Sequence, residues 1–169
     1  MTEPRRHPAA DSIWDDGRGP RFDPLVGDVR ADVCVIGLGA SGLCAAIEAR
    51  ALGHAAVGLD AAVTAGGAAG SNGGILRAGL AKFHHDAVAA FGRERAAALY
   101  RLTAGEIDRV EADTPDAVRR TGSLRVAADD VEWADCEAQA AALRADGVEV
   151  RAHETALGRG LFIPHDAAV

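Results

Sequence analysis

One ten-residue stretch, VCVIGLGASG at 33–42, constrains this chain more than any other. Val33, Cys34, Val35 and Ile36 form a short, mostly β-branched apolar run. That composition predicts a strand buried on both faces, as in a parallel sheet. The run passes straight into a G-x-G-x-x-G turn at Gly37, Gly39 and Gly42. LCAAIEARALG follows at 43–53, with Leu43, Ala46, Ile47 and Ala51 on one helical stripe and Gly53 placed to end the helix. A second apolar run, AAVGLD at 55–60, closes on an acid. Strand, glycine turn, helix and strand make a βαβ unit, the context a dinucleotide-binding turn requires.

Each glycine has a separate physical task. Gly37 permits the tight turn. Gly39, without a Cβ, lets a pyrophosphate approach the backbone. Gly42 lets the helix lie close to the strand. The helix N-terminus then presents N–H groups and partial positive charge to phosphate. Asp60 can accept hydrogen bonds from ribose hydroxyls and would repel a 2′-phosphate, which disfavours NADP.

A second glycine-rich segment, AGGAAGSNGG at 65–74, decides between dinucleotides. Its small residues let backbone N–H groups reach phosphate or ribityl oxygens and leave room for a flat ring. Ser71 and Asn72 add donors and acceptors. A plain NAD-binding module would not need this loop, and a flexible loop without ligand is the bland alternative.

Composition removes other classes. The chain has 169 residues, about one domain, with 18 Lys+Arg against 25 Asp+Glu and a net charge of −7. That balance argues against nucleic acid or an anionic membrane as partner. A hydrophobic content of 49% argues against disorder, although much of it is alanine. Cys34, Cys44 and Cys136 lack metal spacing and read as reduced thiols. The first two are expected to be buried packing groups, on the strand and on the helix above it. The N-terminal arginines are not followed by the apolar segment of a secretory signal, and no run approaches a membrane span. A soluble, cytoplasmic protein is expected.

Residues 1–30 read as an extended lead-in, rich in Pro, Asp, Arg and Gly, that packs on a surface through Trp14, Phe22 and Leu25. Beyond the second glycine loop, one helical pattern runs from about Asp86 to Asp113. A strand with a turn at Thr121-Gly122 lies within 117–127. A helix spans Asp130–Asp146 and ends at Gly147. Val148–Arg151 is a short strand or a connector, and Leu161–Pro164 is extended. His84 and His85 are adjacent, so they do not share a helix face; partly exposed histidines at a helix start are the simpler reading. Asp129 and Asp130 suit a turn before a helix better than a metal site, and no metal site is expected. Glu106, Asp108, Arg109 and Glu111 read as charges on a helix surface.

DVCVIGLGASGLCAA, VGLDAAV and GGAAGSNGGIL together resemble the N-terminal part of the glycine/D-amino-acid oxidase-like FAD-dependent oxidoreductases. The lead-in IWDDGRGPRFDPLVGDVRADVCVIG is similar to the branch containing gamma-glutamylputrescine oxidoreductase. The resemblance covers residues 12–169. It implies an α/β fold: an FAD/NAD(P)-binding Rossmann-like βαβ unit with an incomplete α+β substrate-domain portion. The divisions are a lead-in at 1–30, the FAD-binding unit with the second loop at 31–80, and a helical, partial substrate-domain segment at 81–169.

The same resemblance implies cofactor roles. Gly37, Gly39, Ala40, Ser41 and Gly42 would hold the FAD pyrophosphate. Asp60, where most relatives carry Glu, would hold the adenosine ribose, with Ala61 beside it. Gly67, Ala68, Ser71, Asn72, Gly73, Gly74 and Ile75 would lie along the pyrophosphate, ribityl chain and flavin. Ala69 and Ser71 depart from the family's usual GASGRNGG. Some relatives bind flavin covalently through a His in this loop; Ser71 stands at the corresponding position, so non-covalent FAD is expected. The implied reaction is oxidation of a small-molecule amine or amino acid, with hydride passing to flavin. No catalytic residue is implied within this chain.

In such proteins further parallel strands return after the substrate domain, and no such segment follows here. The expectation is therefore an N-terminal fragment or split product that alone binds FAD poorly and is inactive, with a missing C-terminal half or second chain as partner. An NAD-binding module and a catalytically inactive fragment are the alternatives.

Overall fold

The computed structural model describes residues 21–169. They form two compact units that divide between Gly73 and Gly74.

The first unit is the βαβ element. Strand β1 (Val33–Ile36) leads into helix α1 (Ala40–Ala51), and strand β2 (Ala56–Leu59) returns parallel to β1. Val33 stands opposite Ala56, and Ile36 opposite Leu59. The connections are pinned at both ends. The Asp32 carboxylate accepts from the Ala55 N–H at 2.8 Å. The Gly37 N–H donates to the Leu59 carbonyl at 2.7 Å. Gly53, with φ of +87°, ends the helix as its position predicts. The Leu38 side chain lies over Gly58, where a Cβ would come within 2.6 Å of Leu38 Cδ2.

Burial in this unit departs from expectation. Val33 and Val35 are half-buried, whereas Cys34 and Ile36 are exposed. The strand thus alternates instead of being covered on both faces, because α1 covers only one face of the two-stranded sheet. Cys34 and Cys44 are exposed thiols, not packing groups. Of the α1 stripe, Leu43 and Ala46 are half-buried, but Ile47 and Ala51 are exposed. In the lead-in, Phe22 and Leu25 are exposed rather than packed, and Trp14 lies outside the described residues.

The second unit holds the core. Its elements are β3 (Ile75–Leu76), α2 (His84–Phe91), α3 (Arg93–Asp113), β4 (Ser123–Val126), α4 (Asp130–Ala145), β5 (Arg151–Thr155), β6 (Gly158–Ile163) and β7 (Ala167–Ala168). Strands β4, β6 and β5 form an antiparallel sheet in that order, and β3 pairs antiparallel with β7. Tyr100, Cys136, Ala140, Leu143, Val150, Leu161 and Ile163 form the main core cluster.

The single helix expected over 86–113 is two helices. They break at Gly92, whose φ of +80° leaves the right-handed helical region. Gly122, with φ of +68°, makes the expected turn before β4. Helix α4 stops before Gly147, and 148–150 is a connector to β5. The extended segment at Leu161 lies within β6. Among the described residues no helix is long and apolar enough to cross a membrane.

Candidate functional site

The glycine turn between β1 and α1 sorts its three glycines by what surrounds them. Gly37 has φ of +93°, a conformation glycine adopts without penalty. A Cβ on Gly42 would collide with the Gly37 carbonyl oxygen, so only glycine lets α1 approach the strand this closely. A Cβ on Gly39 would meet nothing within 4 Å. Glycine is therefore required at 42 by internal packing, whereas at 39 it leaves open space at the head of the helix.

That helix end is suited to an anion. Gly39 is the N-cap of α1, no side chain among the described residues caps the turn, and no acidic residue stands in its first turn. Ala40 and Ser41 open the helix with their backbone N–H groups at its positive end.

Asp60 reaches the same turn. Its Oδ2 accepts from the Leu38 N–H at 2.7 Å, and its Oδ1 from the Ala62 N–H at 3.0 Å. The acid at the end of β2 thus ties the glycine turn to the following loop. Ala61, next along, is exposed.

The second glycine loop folds on itself. The Ala65 N–H donates to the Leu38 carbonyl at 2.9 Å, placing the loop against the first turn. Asn72 Nδ2 donates to the Ala69 carbonyl at 2.6 Å and the Ala68 carbonyl at 3.3 Å, so its amide braces the loop. The Ser71 N–H reaches the Ala68 carbonyl at 3.4 Å. Gly67 and Gly73 have open space where a Cβ would stand. These open positions and the uncapped helix fit a flat, phosphate-bearing cofactor lying along the backbone.

Gly74 and Ile75 belong to the second unit. Gly74 has φ of +66°, and a Cβ there would come within 2.5 Å of the Val169 carbonyl oxygen. Strand closure thus requires glycine at this position. Ile75 pairs with Ala168 and is exposed.

The histidines separate as adjacency on a helix predicts. His84 is buried, contrary to the expected partial exposure, and its Nε2 lies 2.8 Å from Asp146 Oδ2. Arg93 Nε donates to Asp146 Oδ1 at 2.7 Å. The His84 hydrogen bond, with Arg93 behind it, holds the Asp146 carboxyl below its usual range. His85 faces Asp86 at 3.5 Å. Asp129 caps α4 by accepting from the Glu132 N–H at 2.8 Å, the structural role expected of it. Arg109 lies between Glu106 and Asp113, while Asp108 and Glu111 both engage Arg120. No cluster suited to a metal ion occurs among the described residues.

Sequence reasoning missed a small cavity in the second unit, lined by Tyr100, His84 and three cationic side chains. Its residues come from segments far apart in the chain, so no local spacing could reveal it.

Residues 32–169 match the family described as DAO, FAD dependent oxidoreductase. No curated protein matches the chain. Among solved structures, L-amino acid deaminase from Proteus vulgaris lacking its specific insertion sequence is similar at a TM-score of 0.66 and 16% identity, over 98% of this chain and 44% of that one. L-amino acid deaminase from Proteus vulgaris is similar at a TM-score of 0.62 and 15% identity, over 87% of this chain and 36% of that one. The chain thus spans less than half the length of either structure. The fold is shared with both, and the family match runs from Asp32, just before β1, to Val169. The chain belongs to the DAO family of FAD-dependent oxidoreductases.

Proposed function

We propose that this chain supplies the FAD-pyrophosphate-binding part of an enzyme that oxidises a small amine or amino acid. The observation that carries the reading is the contrast between Gly42, closed by packing, and Gly39, open at an uncapped helix N-terminus. The backbone N–H groups of Ala40, Ser41 and Gly42 would receive the pyrophosphate, and the Asp60 carboxylate the adenosine ribose. The backbone at Gly67 and Gly73 would take the ribityl and flavin portion. Bound non-covalently, FAD would supply the two-electron acceptor for oxidation of the carbon bearing the amine. This chain's part is to hold and orient that acceptor. The lead-in motif favours the gamma-glutamylputrescine oxidoreductase branch and hence an amine substrate. A C-terminal portion or second chain would provide the substrate-contacting groups.

Fluorescence titration of FAD with the purified chain tests the binding reading. Quenching should saturate, and NAD should not compete at equal concentration. Gly39→Val should weaken binding at least tenfold, because two methyl groups would occupy the space at the helix head. Unsaturable FAD, an unchanged Gly39→Val variant or preferential NAD binding would each overturn it.

A further inference from the structure

The second unit contains a cavity of about 60 Å³, lined on its apolar side by residues including Ala87, Leu143 and Ile163. That volume accommodates roughly four water-sized groups. Tyr100 lines it and is 7% exposed. Among the described residues the Tyr100 hydroxyl is buried without a hydrogen-bond partner. A buried donor without an acceptor is costly, so the cavity lacks the acceptor this phenol requires.

The surrounding charge identifies the acceptor. Arg77, Lys82 and Arg125 all line the cavity. Arg77 faces the buried Asp166 at 3.9 Å, and Arg125 pairs with Glu132 at 2.8 Å. Asp166 is itself committed, accepting from the Ala78 N–H at 3.0 Å and from Ser123 Oγ at 2.5 Å. Lys82 is exposed and has no ion pair among the described residues, which leaves one positive charge in excess at the cavity. The other polar lining groups are engaged: His84 with Asp146, and the Gln139 side-chain oxygen with the His84 N–H at 3.0 Å.

We propose that this cavity binds a small monocarboxylate, which accepts a hydrogen bond from the Tyr100 hydroxyl and pairs with the Lys82 ammonium. One negative charge balances the excess. A dianion such as phosphate would overshoot it, next to apolar walls and the buried Asp166. A carboxylate with a short alkyl tail matches both the volume and the apolar side. The inference does not rest on the flavin reading, since every residue in it lies in the second unit.

Titration of the full chain with sodium acetate, against sodium chloride at matched ionic strength, tests it. Tyr100 is the only tyrosine, so its ring NMR signals are unambiguous. They should shift saturably with acetate and not with chloride. Followed by the Leu143 and Ile163 methyl signals, Tyr100→Phe should weaken acetate binding roughly fivefold or more. Lys82→Gln, at an exposed position, should weaken it while leaving the fold intact. Should Tyr100→Phe fail to fold, Lys82→Gln decides alone. A non-saturating response, an equal response to chloride, tighter binding of inorganic phosphate, or unchanged affinity in Lys82→Gln would overturn the proposal.

Discussion

Single residues in this chain carry obligations that their neighbours do not share. Gly42 and Gly39 sit in one motif, yet alanine should act oppositely at the two. Gly42→Ala drives a methyl group into the Gly37 carbonyl and should destabilise the first unit by about 1–3 kcal/mol. Gly39→Ala meets open space and should leave stability unchanged within about 0.5 kcal/mol. Urea unfolding of the two variants measures the difference. The motif's existence was legible from the sequence because the glycine turn follows a strand and leads into a helix. The exposure of Cys34 and Cys44 was not. An apolar run reports what could be buried, while actual burial depends on which surfaces lie against it.

Tyr100 gives a second test at this scale. Burial, reinforced by the charge of Asp166, pushes its phenol up to about 12. The unfolded chain ionises the phenol near the ordinary value of 10.0, so between the two the folded state holds more protons than the unfolded one. The contribution is full below the unfolded value and is lost as pH rises from there through the folded value. Absorbance of the lone tyrosine should therefore titrate late in the folded chain, and urea stability should fall across that window. Tyr100→Phe should remove that part of the fall.

At the level of elements, α4 shows local chemistry setting a boundary. Asp129 accepts from the Glu132 N–H at 2.8 Å, and Glu132 returns a hydrogen bond from the Ala128 N–H at 2.9 Å. This reciprocal arrangement resembles a capping box. The Ala128 N–H and then Arg125 hold the Glu132 carboxyl below its ordinary range. Asp129→Ala should cost about 1 kcal/mol, measured by thermal or urea unfolding. Both ends of α4 were readable, because Asp129 and Gly147 are sequence-local signals. The break between α2 and α3 was harder to read. The apolar spacing continues through Gly92, and only its positive φ divides the helix. The His84–Asp146–Arg93 group lay beyond reach because its members stand on elements that packing alone brings together.

Across the whole molecule, burial is unequal. All fully buried residues among those described lie in the second unit, while the βαβ element has none. The element most legible in sequence is thus the one with the least core of its own. Its fingerprint is written in glycines that shape a backbone, not in side chains that fill an interior. The core of the second unit depends on long-range partners such as Cys136 and Leu161, which no periodicity pairs.

The strand closure at the end of the second unit has a topological consequence. The Val169 N–H donates to the Gly74 carbonyl at 2.8 Å, and β7 pairs with β3. The unit's entry and exit therefore meet side by side, like the two ends of a clasp. A segment with adjoining ends can be rewired without moving its interior. A circular permutant of residues 74–169, joined by a short glycine linker across Gly74 and Val169 and reopened at the exposed turn near Leu157, should retain the far-ultraviolet circular dichroism of the unpermuted unit. Loss of that signal would mean that continuity at the β5–β6 turn, and not the clasp, holds this unit together.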